Sequence, residues 1–227
     1  MLKLVIGNKN YSSWSMRPWV LMRHFGLPFT EIKLRFDFGA DSDFYRELAA
    51  FTPAGRVPVL VDEEFPVWDT LAIVEHVAEL LPAHPVWPAE SNTRARARSL
   101  CAEMHAGFSA LRQHLPMNIE AQLPDVGARV LAEQPGVQRD LKRIVEMWSD
   151  ALQASGGPFL FGDFGAADAY YSPVLARLRT YALPVPPALQ AYGDQVWASP
   201  GVAAWVADAL AEKDFLDFEE PYRSAPG

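Results

Sequence analysis

Three short stretches hold residues whose types and spacing can do chemistry. Tyr11-Ser12-Ser13-Trp14-Ser15-Met16-Arg17 falls where a strand-like run gives way to a helical one. The N-terminus of a helix offers unpaired N–H groups and the positive end of its dipole, so hydroxyls there can stabilise an anion. Ser12 or Ser13 can equally serve as a plain helix cap. Arg56-Val57-Pro58 opens another strand-like run. A cis Val57–Pro58 bond would turn the Val57 backbone outward to pair with an extended peptide, whereas a trans bond makes Pro58 an ordinary strand-entry proline. Asp69-Thr70 precedes an amphipathic helix. That acid and hydroxyl suit the two ends of a zwitterion, or again a plain cap.

Positioning these stretches requires a β-α-β-α-β-β-α order within about the first 80 residues. The expected strands are residues 2–6, 29–34, 57–62 and 65–68, and the expected helices are residues 14–25, 41–50 and 70–81. The β-α-β opening implies parallel pairing through a right-handed crossover, and the closing strands suit an antiparallel hairpin. The result is an α/β unit with a four-stranded mixed sheet, in which ligands gather at the carboxyl ends of strands. The GNKNYSS stretch reads as a polar turn. Pro82, Pro85 and Pro88 mark a boundary, and beyond it helical runs are expected at 92–115, 137–155, 166–181, 187–197 and 200–211. Leu71, Val74, Val77 and Leu81 share one face of the helix that Asp69 introduces.

Composition narrows the function classes. Of 227 residues, 20 are Lys or Arg and 28 are Asp or Glu, which leaves a net charge of −8. A chain this acidic is a poor general binder of nucleic acid. Arg94, Arg96 and Arg98 spread over different helix faces and read as solvated. The single cysteine, Cys101, excludes an internal disulfide and reads as a buried, inert thiol. No apolar run approaches the roughly 20 residues of a membrane span, so a cytoplasmic setting is the default expectation. His24, His76, His84, His105 and His114 show no metal-ligand spacing, and no phosphate loop or GxGxxG is present.

Four segments resemble the glutathione transferases. YSSWSMRPW is similar to the SSCSxR opening of zeta-like and related bacterial serine-type members, and TPAGRVPVL to the family's NPxGxVPxL, whose proline is cis. WDTLAIVEHVAEL resembles ESxAIxxYL, and FGDFGAADAYYSPVLARL resembles the FxxGxxxSxADxxxxPxL of a core helix. The resemblance implies a thioredoxin-like N-terminal domain over 1–81, a linker over 82–91 and an all-helical C-terminal domain over 92–227. It implies glutathione as co-substrate, no metal, a homodimer and an apolar electrophile, with neither membrane nor nucleic acid as partner. Ser12 takes the catalytic position, with Ser13 and Tyr11 as rivals. Glutathione would lie against Trp14, Arg56, Val57 and Pro58, with its γ-glutamyl end at Asp69 and Thr70. Arg17 would support the site by pairing with an acid. Met104, His105, Phe108, Leu111 and Arg112 would line the electrophile pocket. A zeta-like cis–trans isomerase, with Arg112 or Arg177 meeting a substrate carboxylate, and a non-catalytic binding module are the alternatives. The chain departs from the pattern at Trp14, which replaces a cysteine, at Gly165, which replaces a capping Ser or Thr, at Pro18 early in the first helix, and at Thr52 before Pro53.

Overall fold

The structure is a computed structural model that describes residues 1–225. The first part of the chain runs β1 (Lys3–Ile6), α1 (Ser13–His24), β2 (Thr30–Lys33), α2 (Asp43–Leu48), β3 (Val59–Asp62), β4 (Phe65–Trp68) and α3 (Thr70–Leu80). The sheet order is β2-β1-β3-β4, with β1 and β2 parallel and the other pairs antiparallel. These are the expected elements in the expected order. Pairing Val5 with Val59 and Leu4 with Leu60 sets the register and sends alternate residues to opposite faces. One face packs Leu4, Ile6 and Leu60 against α1 and α3 in the main core. The other packs Val5, Val59 and Val61 against Phe36, Phe44 and Leu48.

The second part is helical: α4 (Ser91–Ala106), α5 (Ser109–His114), α6 (Pro124–Glu133), α7 (Pro135–Ser155), α8 (Ala166–Thr180), α9 (Pro187–Ala198) and α10 (Pro200–Glu212), with a 3-10 turn at Asp217–Glu219. Two expectations fail here. The run expected over 92–115 divides at Gly107 and Phe108, where Phe108 is left-handed with φ 54°. Its apolar spacing continues through the break, so periodicity does not reveal it. The stretch around Pro124 forms α6, because proline at the first turn of a helix starts it without losing a needed N–H.

Helix α8 is buried along nearly its whole length. Asp168 accepts from Gly165 N at 3.0 Å and Leu160 N at 3.1 Å, and Tyr192 donates to it at 3.1 Å. A side chain at Gly165 would meet the carbonyls of Val86 and Pro85 at 3.0 and 3.2 Å, which accounts for glycine at this cap. Cys101 is buried, and burial pushes its thiol up.

The GNKNYSS turn is not a solvated loop. Residues 7–12 are all buried beneath the helical part. Lys9 pairs with Glu31 at 2.8 Å and with Asp208, and its ammonium lies 4.4 Å from the Trp19 ring centre. Asn10 Nδ2 donates to Asn118 Oδ1 at 3.0 Å, and Asn10 Oδ1 accepts from Glu120 N at 2.8 Å. Asn8 Oδ1 accepts from Phe36 N at 2.7 Å. Helix α10 reaches the same region through Gly201, whose missing side chain lets it close on α1: a Cβ there would sit 2.2 Å from Val20 O. Alanine normally favours a helix over glycine by about 1 kcal/mol. Here the clash is with backbone, so Gly201→Ala is expected to lower stability by about 1–3 kcal/mol, read from the denaturant midpoint.

Candidate functional site

The end of β1 and the head of α1 bring the serines to a groove between the two parts of the chain. Ser12 is the N-cap residue of α1, yet its side chain makes no capping bond. Its hydroxyl lies 2.7 Å from Ser15 Oγ, which accepts from Gly7 N at 3.2 Å. Hydroxyl hydrogens rotate, so Ser15 can donate to Ser12 and free the Ser12 hydrogen for a ligand. Ser13 is half-buried beside it.

The groove comprises two cavities. The first, about 610 Å³, is lined by Tyr11, Ser12 and Ser13, by the aromatic wall of Phe36, Phe38, Phe44 and Tyr45, and by Met117, Arg177 and Glu219. The second, about 510 Å³, is lined by Pro58, Trp68, Asp69, Thr70 and His105. Trp14, Arg56, Val57 and Arg112 line both. The Val57–Pro58 bond is cis, and so is Gly157–Pro158, which nothing in the sequence announced.

Trp14 stands between two guanidinium groups, Arg17 at 3.9 Å and Arg112 at 5.0 Å from its ring centre, with the His105 ring edge-on at 5.2 Å. In the second cavity Asp69 has φ 72° and caps α3 by accepting from Leu71 N at 2.9 Å. Its other oxygen lies 3.3 Å from His105 Nε2. Tyr170 Oη joins His105 Nδ1 at 3.0 Å to Thr70 Oγ1 at 2.6 Å. Asp69, His105, Tyr170 and Thr70 therefore form one polar chain that ties α3 and α4 to α8.

The segment after α10 closes the first cavity. Glu220 is buried, accepts from Tyr11 Oη at 2.7 Å and from Asn118 Nδ2 at 2.8 Å, and pairs with Arg223. Burial works to raise its carboxyl, but hydrogen bonds from Arg223 and Tyr11 outweigh that and hold it low. Burial and the bond to Glu220 push the Tyr11 phenol up to about 12. Glu219 N donates to Leu216 O at 2.8 Å, but its carboxyl has no hydrogen-bonded partner among the described residues. Burial, and then the charge of Glu220, push its carboxyl up to about 7.

A family model described as the glutathione S-transferase N-terminal domain matches residues 11–80, and one described as the glutathione S-transferase C-terminal domain matches residues 93–208. The chain belongs to the glutathione S-transferase family. A zeta class glutathione S-transferase of Euphorbia esula is 27% identical over 67% of this chain and 65% of its own length. A stringent starvation protein A homolog of Coxiella burnetii is 26% identical over 62% of each chain. The chain thus spans slightly less than two thirds of these curated relatives. A glutathione transferase homolog from Burkholderia, solved with bound glutathione, is 25% identical over 92% of this chain and 97% of that one, with a TM-score of 0.69. The diazinon-metabolizing glutathione S-transferase of Bombyx mori shares the fold, with a TM-score of 0.72 at 16% identity over 93% of this chain and 98% of that one.

Within this glutathione S-transferase fold, the groove gathers Tyr11, Ser12, Ser13, Trp14, Arg56, Val57, Pro58, Asp69 and Thr70, as expected from sequence. It excludes four other expected residues. Arg17 is buried beneath Trp14 and pairs with no acid among the described residues; its Nε donates to Tyr170 O at 2.9 Å. Met104, Phe108 and Leu111 are buried in the main core. Arg112 lines both cavities, but His105 lines only the one that holds Asp69. The expected set lacked Ser15, Tyr170, Glu219 and the aromatic wall, and left Arg177 as an alternative. The three-residue spacing of Ser12 and Ser15 was the one available signal for Ser15; nothing in the sequence announces Glu219.

The raised carboxyl of Glu219 gives a pH test. Its ordinary value is 4.5 and its folded value about 7, so folding takes up a proton between them. That contribution to stability is complete below the ordinary value and fades as the pH rises through the folded one. Urea unfolding between about pH 4.5 and about pH 7 should show a smaller loss of stability in Glu219→Gln than in the parent.

Proposed function

We propose that the protein is a serine-type glutathione transferase, zeta-like in its opening motif, that holds glutathione in the groove and keeps its sulfur as a thiolate for attack on a small electrophile. The observation that carries this reading is the buried Ser12 hydroxyl at the head of α1, wired through Ser15 to Gly7 N and facing a cavity. The Burkholderia homolog solved with bound glutathione supports it. A free thiol has a pKa of about 8.5, and each unit of lowering needs about 1.4 kcal/mol of preferential stabilisation of the anion. One hydrogen bond to a charged group contributes about 1.5–3 kcal/mol, so the Ser12 hydroxyl and the helix dipole suffice to favour thiolate at neutral pH. The peptide would run along the Val57 backbone, its ammonium meeting Asp69 and its carboxylate meeting the head of α3 at Thr70.

A second reading, a glutathione-binding module without turnover, draws on the Ser12–Ser15 bond in the direction that points the Ser12 hydrogen at Ser15. Isomerase chemistry is a third possibility, supported by the zeta class relative. Phe65 and Trp68, exposed on the edge strand β4, suit a two-fold pair of chains. Sedimentation should then give twice the 25.2 kDa chain mass.

The decisive measurement is the ultraviolet thiolate band of bound glutathione at neutral pH, alongside turnover of a chlorinated nitroaromatic. Ser12→Ala should still be retained on glutathione resin, lose the band and fall about 10- to 100-fold in kcat/KM. A thiolate band unchanged in Ser12→Ala would reassign the role to Ser13. Glutathione bound by the parent with no thiolate band and no turnover would favour the module.

A further inference from the structure

Among the described residues that line the first cavity, the titratable side chains are Tyr11, Tyr45, Arg56, Arg112, Arg177 and Glu219. That set contains no histidine, lysine or cysteine. Tyr11 is committed to Glu220 and pushed up to about 12, and guanidinium groups keep their charge at neutral pH. Glu219 is the one carboxyl in the wall. Its neighbours in sequence pin it there. On one side, Phe218 packs edge-on against Phe38 of the aromatic wall, with ring centres 5.2 Å apart. On the other, Glu220 accepts from Tyr11 and Asn118. Two residues further on, Tyr222 Oη donates to His114 O at 2.7 Å.

The neighbouring acids are all engaged. Glu220 pairs with Arg223, Glu120 with Lys213 and Arg223, and Asp214 with Arg35. Glu219 is half-buried, and its carboxyl makes no ion pair among the described residues, although three arginines line the same cavity. The other charged groups on its own segment are Asp217 and Arg223, and Arg223 is taken up by Glu220 and Glu120. A carboxyl withdrawn from water without a partner resists ionisation, and here burial and then the charge of Glu220 raise it to about 7. A general acid works best when its pKa lies near the operating pH, so this carboxyl both holds a proton and can release it into the cavity.

We infer that Glu219 is a catalytic acid of the first cavity, giving its proton to carbon when the glutathione sulfur adds to an electron-poor double bond. This rests on the glutathione reading. The thiolate forms a C–S bond at the β-carbon of an α,β-unsaturated carbonyl compound, and the π pair of the double bond moves to make an enolate. Glu219 transfers its proton to the α-carbon, where the enolate pair forms the new C–H bond. The carboxylate left behind takes a proton back from solvent, which received the one lost by the thiol. The sum is one glutathione added across one double bond. Substitution at a chloroarene needs no such donor, because chloride leaves with the bonding pair. Ser12 serves the sulfur and Glu219 the acceptor, and both line the same cavity.

The test compares a neutral enone, trans-4-phenyl-3-buten-2-one, with 1-chloro-2,4-dinitrobenzene. In Glu219→Gln, which keeps the size of the side chain, kcat/KM for the enone should fall about 100-fold further than kcat/KM for the chloroarene. Taking the ratio of the two substrates cancels the ionisation of the glutathione sulfur. In the parent that ratio should be highest below about pH 7 and fall as the pH rises through it, because only the protonated carboxyl can donate. In Glu219→Gln the ratio should be flat with pH. In deuterated water the parent should place deuterium on one face of the α-carbon, and Glu219→Gln on both, as read by proton NMR of the fresh adduct. Equal losses on the two substrates would mean that Glu219 only packs, and would overturn the inference. So would a ratio that neither the variant nor the pH moves. A parent that binds glutathione and attacks the chloroarene but not the enone overturns the inference and leaves the glutathione reading intact. A parent that does not bind glutathione removes both.

Discussion

The geometry of the groove depends on a buried polar turn. Asn8, Lys9 and Asn10 leave the end of β1 and meet groups from the helical part: Asp208 and Trp205 on α10, Asp214 just beyond it, and Asn118 and Glu120 between α5 and α6. Burying so many polar atoms is tolerable only if nearly all are hydrogen-bonded: Tyr11 N and Ser12 N donate to Asn8 O within the turn, and the side chains bond across the chain. The next residues are Tyr11, Ser12 and Ser13. The placement of the serines is therefore set by the packing of the two parts of the chain against each other. An isolated β-α-β unit would leave the side chains of Asn8, Lys9 and Asn10 without these partners.

Tyr11 shows what this costs and what it provides. It sits beside the serines and carries a hydroxyl, so by residue type it competes for the same role. The structure commits that hydroxyl: it bonds to Glu220 and accepts from Leu216 N at 3.3 Å. A phenol held as a donor to a buried carboxylate stays protonated and occupied. Tyr11 thus holds the segment after α10 over the first cavity and brings Glu219 to its edge. The serine pair has the reverse arrangement. Ser15 takes the amide of Gly7, and the Ser12–Ser15 link can reverse its direction without moving a heavy atom.

Strands and helices of the first part were legible because each has a clean period and a stop signal, as Gly26 ends α1 with φ 68°. The groove was legible only where its residues cluster in sequence, at 11–14, 56–58 and 69–70. The electrophile side failed because apolar spacing says that Met104, Phe108 and Leu111 face something apolar, and a core satisfies that as well as a pocket does. The wall of the first cavity comes instead from residues near 36–45 and from Glu219, more than a hundred residues apart, which no periodicity links. Arg17 failed for a related reason. An arginine near the start of a helix is ordinarily solvated; here Trp14 and Tyr170 stack on its guanidinium and Tyr170 O accepts from its Nε.

The replacement of cysteine by Trp14 links these features. The indole covers the guanidinium of Arg17 at 3.9 Å, carries Arg112 on its flank and abuts His105. The electron-rich ring face partly compensates two cations that have no carboxylate, which a small side chain could not do. The same ring lines both cavities, so the subsite that holds Asp69 and the one that holds Ser12 share a wall. Without a thiol here, the head of α1 offers hydroxyls and no disulfide chemistry. What the tryptophan adds is a rigid support for positive charge beside that serine, on the wall the two cavities share.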